Sequence, residues 1–139
     1  MNRPTGERGS VLMLVPAGIL VVLVLASIAV DLSVVHLRRR QAFDLAAAAA
    51  NDGVTAGADP RSLRRGEYEL DPGRTADAVA ATIAASELGP DAAWSSRATP
   101  AGLEVTVTVR ADYIFAGVVP GAPDGTDVTA TASATPLTG

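Results

Sequence analysis

The sequence predicts an α+β protein: a long N-terminal transmembrane and stalk helix, then a second helix packed on a small antiparallel sheet. Three observations carry this prediction. From Gly9 to Val30 there is no charged residue, a run of 22. Strong helix formers then continue without proline until Pro60. Near the C-terminus, two stretches alternate apolar residues with Thr or charge, the period-2 pattern of half-buried strands.

The first element is the apolar run. Its core reads VLMLVPAGILVVLVLASIAV, from Val11 through Leu14, Pro16, Leu20 and Leu25 to Val30. About 20 helical residues at 1.5 Å each span roughly 30 Å, the hydrocarbon thickness of a bilayer. Pro16 and Gly18 weaken a soluble helix but are tolerated inside membranes. The expected division is a short cytoplasmic N-terminus over 1–9 and a transmembrane helix over 10–31. The competing reading is a cleaved signal peptide, with Arg3 and Arg8 as its basic start and Ser27-Ile28-Ala29 as its small-x-small site. The run exceeds the usual signal length of about 7–15 residues, which favours a retained anchor.

Arginine counts around the run, two before and three after, do not set its orientation. The charge balance adds a second argument. Residues 1–40 carry five Arg, one Glu and one Asp, net +3; residues 41–139 carry six Arg and 13 acidic residues, net −7. An acidic, Lys-free C-terminal part suits export. The expectation is a single-pass protein of the bacterial cell membrane, N-terminus inside and C-terminal domain outside.

A stalk helix is expected over 32–52. Val35, Ala42, Phe43, Ala46 and Ala49/Ala50 recur at helical spacing. Asn51-Asp52-Gly53 is the first plausible stop and Gly57 the second. Such a small-residue stripe suits packing against other helices, so Asp31, Phe43, Ala46 and Ala50 are candidate partner contacts. The alternative is that the Ala run packs on the protein's own sheet. Asp31 closes the apolar run, either solvated at a helix end, paired with Arg38, or set against a partner helix. His36 reads as an interfacial side chain, with no second ligand type beside it.

Residues 53–71 read as a connector punctuated by Gly and Pro. Its Arg61, Arg64 and Arg65 form too narrow a basic face for nucleic acid. Tyr68 and Leu70 suggest a short strand or a staple. The region 72–139 is expected to form the small extracytoplasmic domain. Its helix should run from about Gly73 to Leu88, with Asp71 as N-cap, Pro72 at the first position, and Gly89-Pro90 as terminator. Leu103, Val105, Val107 and Val109 define one strand; Val128, Ala130, Ala132 and Ala134 define its partner; Ala93–Ala98 is a third. Between the two clear strands, Ile114, Phe115, Val118 and Val119 either plug the open end of the sheet or form an exposed patch for a partner or the membrane surface.

Composition limits the chemistry. The chain is 48% apolar but only 4% aromatic, and Ala fills 27 positions. A core of small side chains buries little area per residue, so the outer domain should be marginal without its anchor. The absence of Cys excludes disulfides, thiolate metal sites and a Cys nucleophile. With one His, acid–base catalysis on imidazole and His-rich metal sites are not expected. Ser95-Ser96 has no His nearby in sequence. Glu67, Glu69 and Asp71 imply no cleft. Gly6–Gly9 and Gly117–Gly121 lack the spacing and Lys of a phosphate loop. Asp124-Gly125 and Asp127 lack a full calcium pattern. No catalytic, cofactor-binding or metal site is expected, and no small-molecule substrate.

With these elements in view, the N-terminal half resembles Tad-like proteins, the TadE and TadG types of tight-adherence (Flp) pilus systems. The resemblance rests on Arg8-Gly9-Ser10 before the apolar run, Val30-Asp31-Leu32 closing it, Arg38–Gln41, and the Asp44-Leu45-Ala46–Ala50 tract. The outer part is similar to short actinobacterial members: a helix after Leu70-Asp71-Pro72, a Val/Thr strand, and an Ala/Thr strand ending in Thr135-Pro136. The resemblance implies a pilin-like architecture. It implies a membrane-anchored, pseudopilin-like component of a pilus-assembly or secretion machine, whose partners are the membrane, other machine proteins, and possible further copies through the N-terminal helix. The chain departs from prepilin-peptidase substrates, which carry Glu at the fifth mature residue; a cut after Gly9 would place Leu14 there, and a cut after Gly6 would place Val11. The competing function is a secreted or anchored envelope binding protein with a cleaved signal peptide.

Overall fold

The computed structural model describes residues 8–66 and 68–136. Side chains are described from Leu14 onward, Leu63 excepted, so the side chain of Val11 lies outside the described residues, as do Arg3, Glu7 and Glu67. The fold is α+β. Helix α1 spans Arg8–Gly57, α2 spans Pro60–Leu63 and α3 spans Pro72–Ala84. Strands β1 (Ala93–Thr99), β2 (Gly102–Asp112) and β3 (Gly125–Ala134) form one antiparallel sheet in the order β1-β2-β3.

Helix α1 is continuous over 50 residues, about 75 Å at the ordinary helical rise. It passes through Pro16 and does not stop at Asn51-Asp52-Gly53; the second expected stop, Gly57, is the end. The reason lies in packing. A Cβ on Gly53 would sit 2.5 Å from Leu103 Cδ2 and 2.9 Å from Val79 Cγ2. One on Gly57 would meet the Thr75 side chain, 3.1 Å from its Cβ, and Leu70. Both glycines are notches on a helix face, so burial against neighbours holds residues that would otherwise favour a break.

The buried face of α1 is Ala42, Leu45, Ala46, Ala49, Ala50 and Val54. It lies on β2 and β3, whose inward residues run Leu103, Val105, Val107, Val109, Ala111 and Val128, Ala130, Ala132, Ala134. Ala on the helix and Val/Ala on the sheet let the two layers approach closely. The sequence reading placed the second helix on the sheet; the layer covering it is instead the lower half of α1. Helix α3 packs on α1, burying Thr75, Val79 and Ile83 at the glycine notches. Strand β1 is left largely uncovered, and Trp94 is exposed.

Helix α3 begins as its sequence predicts. The Asp71 side chain accepts from Arg74 N at 2.9 Å, and Pro72 holds the first position. It ends earlier than expected, at Ala84 rather than Leu88. Gly89 packs against the Ile83 carbonyl where a Cβ would not fit, so the chain folds back and continues as a 3-10 turn over Gly89–Asp91. The connector is tied by an Ala58–Leu70 bridge, and Tyr68 Oη donates to Val54 O at 2.8 Å, stapling it to α1. Burial raises the Tyr68 pKa above its ordinary 10.0. A folded pKa above the unfolded one means that the phenol's stabilisation is complete below the unfolded value and disappears as pH rises through the folded one. Tyr68→Phe should cost about 0.5–1.5 kcal/mol in denaturant titrations near neutral pH. In a Tyr113→Phe background, tyrosinate absorbance should appear above the ordinary phenol range, and stability to denaturant should fall as it does.

On its outer face the sheet is polar. Thr106 faces Thr131 and Thr108 faces Thr129, each pair joined through Oγ1 atoms 2.9 Å apart. Arg97 bridges to Glu104 at 2.8 Å. Exposed pairs of this kind specify register more than they add stability.

Candidate functional site

The distinctive site lies where the apolar half of α1 meets the folded half. The residues expected to span a membrane, Leu14, Pro16, Leu20, Leu25 and Val30, are exposed along α1. The helix is long and apolar enough there to cross a bilayer. Immediately beyond Val30, Asp31 is 8% exposed. Its Oδ1 accepts from the backbone N–H groups of Ile114 (2.8 Å) and Phe115 (3.0 Å), and its Oδ2 from Ala116 (2.9 Å).

These three donors open the 3-10 turn Ala116–Val118, where the first N–H groups have no partner within the turn. A carboxylate more than 80 residues earlier in the chain supplies the acceptors. Asp31 is therefore neither solvated at a helix end nor paired with Arg38. Three backbone donors of its own chain occupy the carboxylate, so the contact the structure shows for Asp31 is internal. Asp31→Ala should leave the sheet folded while amide exchange at Ile114, Phe115 and Ala116 accelerates strongly; unchanged protection at those three amides would show that the clasp does not hold the loop.

A second lock closes the base of the loop. Arg110 donates to Asp112 Oδ1 at 3.0 Å and also engages Asp124, while Tyr113 N donates to Asp124 O at 2.8 Å. The Asp124 carboxylate is committed to this ion pair. Among the described residues there is no cluster of three or more metal-ligating side chains.

Ala46 and Ala50 are fully buried in the chain's own core, so the structure corrects their assignment as helix-partner contacts: the Ala tract is spent on the sheet. Phe43 is off that stripe and half exposed, beside a groove lined by His36, Arg39, Arg40, Thr129 and Thr131. Ile114, Phe115, Val118 and Val119 do not plug the sheet; all four are exposed, Val118 by 79%. Their position next to Asp31 was hidden in the sequence, since only the 3-10 turn brings the loop to the helix. The available signal was the pairing of an Asp closing an apolar run with a second charge-free stretch.

The fold and site define a class: an α+β protein whose single long helix is apolar enough to cross a membrane at one end and forms half of a domain core at the other. Comparison with family models, with curated proteins and with solved structures finds no match.

Proposed function

We propose that the chain is a membrane-anchored structural component of a pilus-assembly or secretion machine of the tight-adherence type, pseudopilin-like in role. The observation that carries this reading is the continuity of α1. One uninterrupted helix presents an exposed apolar half and then contributes the buried face of the outer domain. Such a helix couples the domain to the membrane without a flexible linker, as a load-bearing or scaffolding subunit requires. The resemblance of the N-terminal half to Tad-like proteins supports the same reading.

Contacts with other subunits would come from the exposed apolar half of α1, through helix–helix packing in lipid, and from the uncovered strand β1 with Trp94. The N-terminus lies inside and the domain outside. Deletion of the gene is expected to abolish surface pili or export without affecting growth, and normal piliation would overturn the assignment. External protease should digest the domain in intact spheroplasts.

A second reading, a secreted envelope binding protein, is favoured by one observation. A cut after Ala29 would leave Asp31, its three donors and the whole core intact. The intact mass of the mature protein separates the two.

A further inference from the structure

The order of residues along α1 fixes the height of the 113–123 loop. Arg38 shares a recess with Val109, Arg110 and Asp112. Seven residues closer to the N-terminus, about 10 Å along the helix axis, Asp31 holds the amides of Ile114, Phe115 and Ala116. After β2 the chain therefore descends along α1 toward the apolar run. The helix between these two levels has no Arg, Asp or Glu, and Leu32 and Leu37 on it are exposed. The loop has no charged residue from Tyr113 to Pro123. Ile114 and Phe115, whose amides Asp31 holds, stand at the end of the 22-residue charge-free run, with exposed Val118 and Val119 following in the same loop, while Arg38, Arg39 and Arg40 come later along α1.

We propose that this loop is a second membrane element: Ile114, Phe115, Val118 and Val119 bed into the acyl–headgroup boundary of the leaflet that α1 leaves, with the arginines at headgroup level. This rests on the reading of α1 as a membrane span. Lipid is the occupant the geometry favours, because the clasp places the patch at the level where the span ends, and aromatic and aliphatic side chains partition to that boundary. It also gives Asp31 its reason. A carboxylate held about two turns inside the first arginine has little water to solvate it, and three backbone donors take water's place. Two attachments, a helix and a loop, hold the domain at one tilt, whereas a lone helix leaves it free to lean.

The test uses the full chain, one copy per nanodisc, in phosphatidylcholine with phosphatidylglycerol carrying brominated acyl chains. Three single-Trp reporters are made in a Trp94→Phe background: Leu20→Trp in the span, Phe115→Trp in the loop, and Thr131→Trp on the outer face of the sheet. The expected result is strong quenching at 20, clear quenching with a blue-shifted emission at 115, and none at 131. Adding Asp31→Ala should reduce quenching at 115 several-fold while leaving 20 unchanged. Quenching at 20 with none at 115 overturns the loop proposal and leaves the span standing. No quenching at 20 overturns both. A blue shift at 115 without bromine quenching, seen only when several copies share a disc, would identify a second chain, not lipid, as the occupant and would also overturn the proposal.

Discussion

A chain that begins at residue 55 is expected to be unfolded, whereas one that begins at Val30 should fold cooperatively in mild detergent. The boundary at 55 looks natural in the sequence, because it follows Asn51-Asp52-Gly53 and removes only what reads as a stalk. In the structure that cut removes Ala42, Leu45, Ala46, Ala49, Ala50 and Val54, the entire layer that covers β2 and β3. It also removes the Val54 carbonyl that accepts from Tyr68. What remains is a three-stranded sheet with one bare apolar face, and helix α3 without its seat. A sheet of this size is not stable alone with its apolar face in water. Circular dichroism and amide dispersion of the two fragments check this. A well-dispersed, cooperatively melting 55–139 fragment would mean that the helix is not part of the core.

The second large effect concerns the contact between Gly53 and Leu103. Leu103 is 1% exposed and stands where α1, α3 and the sheet meet. Leu103→Ala should cost about 2–5 kcal/mol in denaturant unfolding, the range for emptying a buried leucine site. Gly53→Ala is the more instructive change. Helix propensity favours Ala over Gly by up to about 1 kcal/mol. Overpacking opposes it by about 1–3 kcal/mol, because the new Cβ would lie 2.5 Å from Leu103 Cδ2 and 2.9 Å from Val79 Cγ2. Those methyl groups end flexible side chains, but both side chains are buried and have nowhere to retreat. Overpacking therefore wins, and Gly53→Ala alone destabilises. In a Leu103→Ala background the closer obstacle is gone and the emptied volume lets the Val79 methyl move aside, so the same substitution should become neutral or stabilising. A double-mutant cycle measures this sign reversal directly; additive effects would show that the two residues do not share space.

Much of this architecture was legible in the residue pattern. The charge-free run from Gly9 to Val30 is read by length and hydropathy alone. Asp71-Pro72 announces the start of α3 because capping is local chemistry. The alternation from Leu103 to Val109 announces β2, and the Ala/Thr alternation its partner, because strand periodicity is set by the backbone. These features need nothing beyond a few neighbouring residues.

What the pattern left open depends on distant contacts. The Ala42–Ala50 tract looks the same whether it faces another protein's helix or its own sheet; only the sheet's position decides, and it takes the tract for the core. Gly53 reads as a helix stop until Leu103 and Val79 are placed against it, after which it is a notch in a continuing helix. Asp31 reads as the polite end of an apolar run until a loop more than 80 residues away brings three amides to it. Residue order and composition by themselves determined that this protein has an apolar N-terminal helix and a thin, small-residue sheet. Tertiary structure alone decided that the two are one body, joined by a shared core and by a carboxylate clasp, because close packing and hydrogen bonding between distant segments leave no local periodicity in the chain.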